Sequence, residues 1–158
     1  MRRESNAGRV DAERMSYHIL KDWKTKAGFR AVVVKTPMGH NCGYVGIPKS
    51  HVLYGKNYNE HIPALKPLLK KALEGTIGKR GIIPVLFRDA SKACMDFVFD
   101  VHGSVSFSRT TPTFPVASNL HWIGFDCAHD GDTPEICDLN YCVKECESLA
   151  RQIKQVKK

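Results

Sequence analysis

Phe29-Arg30-Ala31-Val32-Val33-Val34-Lys35 and Asn41-Cys42-Gly43-Tyr44-Val45-Gly46-Ile47-Pro48, separated by Thr36-Pro37-Met38-Gly39, decide the architecture of this chain. The first is a β-branched run that reads as a strand, and the second reads as another strand that Pro48 stops. The Pro-Met-Gly connection is turn chemistry and too short for a crossover, so the two strands pair antiparallel. On the N-terminal side, Tyr17-His18-Ile19-Leu20-Lys21-Asp22-Trp23 reads as a strand, and Lys26-Ala27-Gly28 as the turn that makes a second hairpin.

Outward from this core, residues 1–16 form a polar, Arg-rich arm without periodicity, and residues 17–158 form one domain. Lys49 to Asn59 reads as a loop. Between Ile62 and Leu73 the apolar residues recur every three or four positions, predicting a middle helix whose regular part starts near Pro67 and ends at Gly75. Further strands are expected at Ile82–Phe87, Met95–His102 and Asn119–Asp126, with Gly103 to Phe107 extending or following the second. Thr133-Pro134 offers a cap with Pro at the first helical position. The last helix, Tyr141 to Val156, carries Cys142, Cys146, Leu149, Ile153 and Val156 on one stripe. The fold class is α+β: a mostly antiparallel, hairpin-rich sheet with a middle helix and a C-terminal amphipathic helix packed on one side.

The composition agrees with one folded domain. In 158 residues, 42% are apolar and 25% charged, enough to bury roughly two-thirds of the unfolded surface. The net charge of +8 favours anionic partners, although much of it sits at the two ends of the chain. No nucleic-acid motif or aromatic platform accompanies it. Six cysteines without an apolar leader predict reduced thiols in a cytoplasm, and no apolar run is long enough for a membrane span.

Three His-bearing motifs carry the candidate chemistry. His40-Asn41-Cys42 and Cys127-Ala128-His129 each hold a His and a Cys two residues apart, which on a strand share a face. Side by side, His40, Cys42, Cys127 and His129 would form a Cys2His2 set suited to zinc; a Cys42–Cys127 bridge or plain buried thiols are the alternatives. Asp126, His129, Asp130 and Asp132 crowd one loop after an aromatic strand, which suits a divalent cation or acid–base work, or only turn and cap chemistry. His102-Gly103 ends a Phe/Val-rich strand, where Gly permits close backbone approach. His51, Tyr54 and Lys56 lie in a loop able to stack a base and meet a phosphate. Walker, GxGxxG, GxSxG and HExxH signatures are absent.

Met38 to Pro48, His51 with Leu53-Tyr54-Gly55, Val101-His102-Gly103, Trp122 to Asp132 and Tyr141 to Ala150, taken together in this order, resemble a family of small bacteriophage-encoded proteins without an established mechanism. The chain departs from that pattern at Val52, where Pro is expected, and at Ser104, where a second Gly would follow His102. The resemblance implies a viral accessory protein in the cytoplasm of a bacterial host. With the basic charge, it suggests a binder of a nucleotide-type anionic small molecule, such as a cyclic nucleotide or ADP-ribose derivative that serves as a host immune signal. His51, Tyr54, Lys56, His102, Asp126 and His129 would line that pocket. The first alternative is a hydrolase or phosphodiesterase of such a ligand, with His102 and His129 as acid and base and a metal on Asp126 and Asp132. The second is an inhibitor that binds a host protein.

Overall fold

A computed structural model describes residues 16–74 and 92–157. All but the last residue of the expected basic arm, and the expected strand Ile82–Phe87, lie outside them. Strands β1 (His18–Lys24), β2 (Arg30–Lys35) and β3 (Asn41–Ile47) form the two expected hairpins. A 3-10 turn, Pro63–Leu65, leads into α1 (Lys66–Glu74), and a short helix α2 (Met95–Val98) precedes β4 (Phe107–Thr110), β5 (His121–Asp126) and α3 (Leu139–Lys154). The sheet runs β1-β2-β3-β5-β4 with every neighbouring pair antiparallel. The α+β architecture, with its C-terminal helix, is that read from the sequence.

The four-residue apolar run Ala31–Val34 is fully buried because both faces of β2 are covered. Ala31, Val33, Val45, Ile47, Ile123 and Phe125 face α3, whose Cys142, Cys146, Leu149 and Ile153 are wholly buried against them. Each large side chain of that stripe contributes about 1.5–3 kcal/mol of burial. Gly43 permits the close approach: a Cβ there would lie 2.6 Å from the Phe125 ring and 2.7 Å from Cys146 Sγ. Glu147 ties α3 to the β1–β2 turn, accepting from Trp23 Nε1 at 2.8 Å and from the Lys26 amide at 3.0 Å.

The opposite sheet face buries Val32, Val34, Cys42, Tyr44 and Trp122. Among the described residues it is covered not by a helix but by Tyr17, Phe107, Phe114, Val116 and Leu120, most of them from the irregular stretch before β5. The expected strand Met95–His102 is instead one helical turn followed by extended chain. Met95, Phe97, Phe99 and Val101 alternate as a strand would, but Val98 is buried in the same core, and consecutive residues share a core only if the backbone coils. The cap of the last helix also moves: Asp138, not Thr133, accepts from the Tyr141 amide, while Thr133 Oγ1 accepts from Ile136 in a turn before it.

Candidate metal centre

At one end of the sheet, β5 runs out at Asp126, β3 begins at Asn41, and α3 begins at Leu139. The chain between β5 and α3 folds back over this end, so Cys127 and Cys137 come beside His102, which follows the buried Phe99 and Val101. Asn41 holds both cysteines. Its carbonyl accepts from the Cys127 amide at 3.0 Å, and its Nδ2 donates to the Cys137 carbonyl at 2.9 Å. The His102 amide donates to the buried Glu145 of α3 at 2.7 Å. Gly103 adopts φ +66°, and a Cβ there would lie 2.3 Å from His129 Cε1, so glycine lets the imidazole lie on the backbone. Ser104 takes φ +79° without being glycine, so the left-handed backbone continues past Gly103.

His102 is the hub. Its Nδ1 lies 2.8 Å from the Tyr141 hydroxyl, and its Nε2 lies 2.9 and 3.0 Å from the two oxygens of Asp132. These contacts are satisfied when Nε2–H donates to the carboxylate and the Tyr141 hydroxyl donates to Nδ1. Cys137 Sγ lies 3.6 Å from the same Nε2. His129 completes the group: its amide donates to Asp132 Oδ2 at 2.9 Å, and its Nδ1 lies 3.3 Å from Asp132 and 3.7 Å from Asp126. His102, Cys127 and Cys137 place their ligand atoms within 4.8 Å of one another, as do His102, His129 and Asp132, so either group could hold a metal ion.

The electrostatics separate an inner and an outer half. Burial pushes the Cys137 thiol up, and the hydrogen bond that the Cys127 thiol gives to Cys142 together with burial does the same for Cys127, whose Sγ lies 3.8 Å from Cys142 Sγ. For Asp132, burial works to raise the carboxyl, but hydrogen bonds from His102 and from the His129 amide outweigh it and hold Asp132 below its ordinary value. The Asp132 side chain is 9% exposed and that of His129 45%, so the sulfurs lie inside and the second imidazole on the rim.

The sequence-predicted residues are divided by this geometry. Cys127, His129 and His102 come together, with Asp126 against the rim. His40 and Cys42 do not join them. Cys42 pairs with Asp126 across the β3–β5 ladder and points to the Tyr44 face, so Cys127, one residue on, points to the other. Burial pushes the Cys42 thiol up to about 12, and His40 Nδ1 contacts Thr36 Oγ1 at 3.2 Å. The six free thiols include both Cys42 and Cys127, so the bridge between them is not formed.

The loop residues His51, Tyr54 and Lys56 are at the far end of the ladder, about 17 Å along β5. His51 accepts from the Leu53 amide and donates through Nε2 to the Ile153 carbonyl at 3.1 Å; burial lowers its pKa. The Tyr54 hydroxyl donates to the Asn119 carbonyl, and the Lys56 carbonyl accepts from His121. The six residues expected to line one ligand pocket therefore occupy two ends of the domain. Asp132, expected from the sequence as a cation-binding carboxylate of the loop after β5, joins His102 and His129. Cys137, Tyr141 and Asn41 complete the site, the first two marked in the sequence only by the density of Cys, His, Asp and Tyr between residues 126 and 142, and Asn41 only as the middle of His40-Asn41-Cys42.

No family model matches the chain, and no curated protein and no solved structure matches it. Among the described residues, no helix is long and apolar enough to cross a membrane.

Proposed function

We propose that this protein is a zinc-dependent hydrolase with His102, Cys127 and Cys137 as metal donors. The observation that carries the reading is the 3.6 Å separation of Cys137 Sγ and His102 Nε2. Zn–S and Zn–N bonds of about 2.3 and 2.05 Å at a tetrahedral angle span an edge of about 3.6 Å, so these donors are at metal-binding distance already. One nitrogen and two sulfurs form the three-donor set of a catalytic zinc, with a fourth position for water or Asp132. With Nε2 on a metal, His102 would carry its proton on Nδ1 and donate it to the Tyr141 hydroxyl 2.8 Å away, which would fix ring and tautomer.

His102, Cys127 and Cys137 would hold the ion, and the chemistry it would supply there is a water of lowered pKa. The chain's own contribution is to place His129 at the rim with Nδ1 toward Asp132 and Asp126, which leaves Nε2 with the lone pair of a general base. Asp132 orients that ring and lies against His102 at the same time. The experiment is turnover by zinc-loaded protein on activated aryl esters, cyclic nucleotides and ADP-ribose derivatives. The expected result is hydrolysis that His129→Ala abolishes while zinc is retained. Absence of turnover on every substrate, or full activity in His129→Ala, overturns the hydrolytic reading.

A further inference from the structure

The His40-Asn41-Cys42 motif and Asp126 leave a second feature outside the metal centre. On the sheet face away from α3 is a cavity of about 320 Å³. Tyr17, Tyr44 and Phe107 form its aromatic wall and floor, and His40, Ser106 and Asp126 its polar side. Tyr44 is nearly buried, and its ring is held edge-on to Phe107 at 5.1 Å between centroids, so the floor is rigid; Tyr17 and Phe107 are half-exposed. Asp126 is the shared wall: Oδ2 accepts from Ser106 Oγ at 3.1 Å inside the cavity, while Oδ1 lies 3.7 Å from His129 Nδ1 at the rim of the metal centre.

We propose that this cavity binds the cationic head of a small organic ammonium ligand. A carboxylate beside aromatic rings is the arrangement that recognises such a group: the rings offer their negative π systems to the desolvated cation, and Asp126 supplies a charge-assisted partner. Asp126 has acceptor capacity left, because a carboxylate takes about four hydrogen bonds and the Ser106 hydroxyl and the Ala128 amide use two. The volume falls at the small end of ligand pockets, about 300–1,000 Å³, which suits an amine head rather than a whole nucleotide. Among the described residues the lining carries a carboxylate and no Lys or Arg, which favours a cationic over an anionic occupant. The cavity stands on its own residues and does not require the metal. Where both sites hold, Asp126 places the ammonium of a substrate beside the bond presented to the centre.

The test is a titration of the full chain with benzylammonium, followed by two-dimensional amide and aromatic NMR, with benzyl alcohol as the neutral isostere. The expected result is saturable shifts at Tyr17, Phe107 and Asp126 with a Kd of about 1 mM or tighter. Benzyl alcohol and the Asp126→Asn variant should each bind about tenfold more weakly. Asn keeps the acceptor oxygen for the Ala128 amide, so the variant isolates the charge. Equal binding of the alcohol, shifts elsewhere on the surface, or no shifts at all overturns the proposal. Metal content measured on the same sample keeps its failure separate from failure of the zinc reading.

Discussion

Cys137 Sγ lies 3.6 Å from His102 Nε2, although the two residues are far apart in sequence and in different connecting segments. What brings them together is Asn41, whose carbonyl and side-chain amide hold the segments of Cys127 and Cys137, and Glu145, which holds the His102 backbone. The centre is built at the junction of β3, β5 and α3, and its donors come from segments that those elements fix.

Tyr141 tests the support of that centre. Tyr141→Phe removes the hydroxyl that lies 2.8 Å from His102 Nδ1 and leaves the ring packed beside the imidazole, with centroids 5.4 Å apart. Zinc affinity should fall about 10-fold or more while the fold is kept. Competition against a chromophoric chelator measures it, and unchanged affinity would separate Tyr141 from the metal.

Asn41 is expected to matter more for stability than its neighbour His40. Asn41→Ala strips the Cys137 carbonyl of its buried donor, which costs about 1–3 kcal/mol, whereas His40→Ala at the half-buried turn should cost less than about 1 kcal/mol. Urea denaturation of the two variants gives the comparison.

Gly103→Ala should separate metal binding from turnover. The new Cβ meets the His129 ring at 2.3 Å and must adopt φ +66°, a strain of about 1–3 kcal/mol. His129 is displaced and His102, Cys127 and Cys137 are not, so the variant should hold zinc with less stability and little hydrolysis. Loss of zinc together with activity would assign His129 a ligand role instead.

The far end of the domain sets a pH dependence. Burial lowers the pKa of His51 and of His121 below 6.5, each ring donating to a backbone carbonyl from Nε2. Because the unfolded chain takes up these protons first, stability is full above about pH 6.5 and declines as the pH falls below it. Urea midpoints at about pH 7.5 and 5.5 should differ in that direction, and His51→Gln should reduce the difference. A midpoint that rises on acidification would contradict the sign.

The sheet was legible because Phe29–Lys35 and Asn41–Pro48 combine β-branched runs with turn residues at fixed places. Local chemistry of that kind needs no tertiary information. Met95–Val101 misled because its alternation of apolar residues fits a strand equally well, and only the burial of Val98 shows that the chain coils. In the site, Cys127 and His129 were legible as a dense polar loop after a rigid strand. Their predicted partners His40 and Cys42 were not the right ones, since face assignment depends on the β3–β5 register: Cys42 opposite Asp126 leaves Cys127 on the other side. Asp132 was legible as a carboxylate of that loop, but its contact with His102, and the whole role of Cys137, arise only when the loop folds back onto His102, a long-range closure that spacing in sequence does not encode.

The most direct test of the account is elemental analysis of the full chain purified without added metal or chelator. The expected result is about one zinc per chain, lost in Cys137→Ser and in His102→Ala and retained in His40→Ala and Cys42→Ser. Cobalt exchanged into the site should show the charge-transfer absorption of thiolate ligation. Protein that folds fully with no stoichiometric metal, or that keeps its zinc when both Cys137 and His102 are replaced, would contradict it.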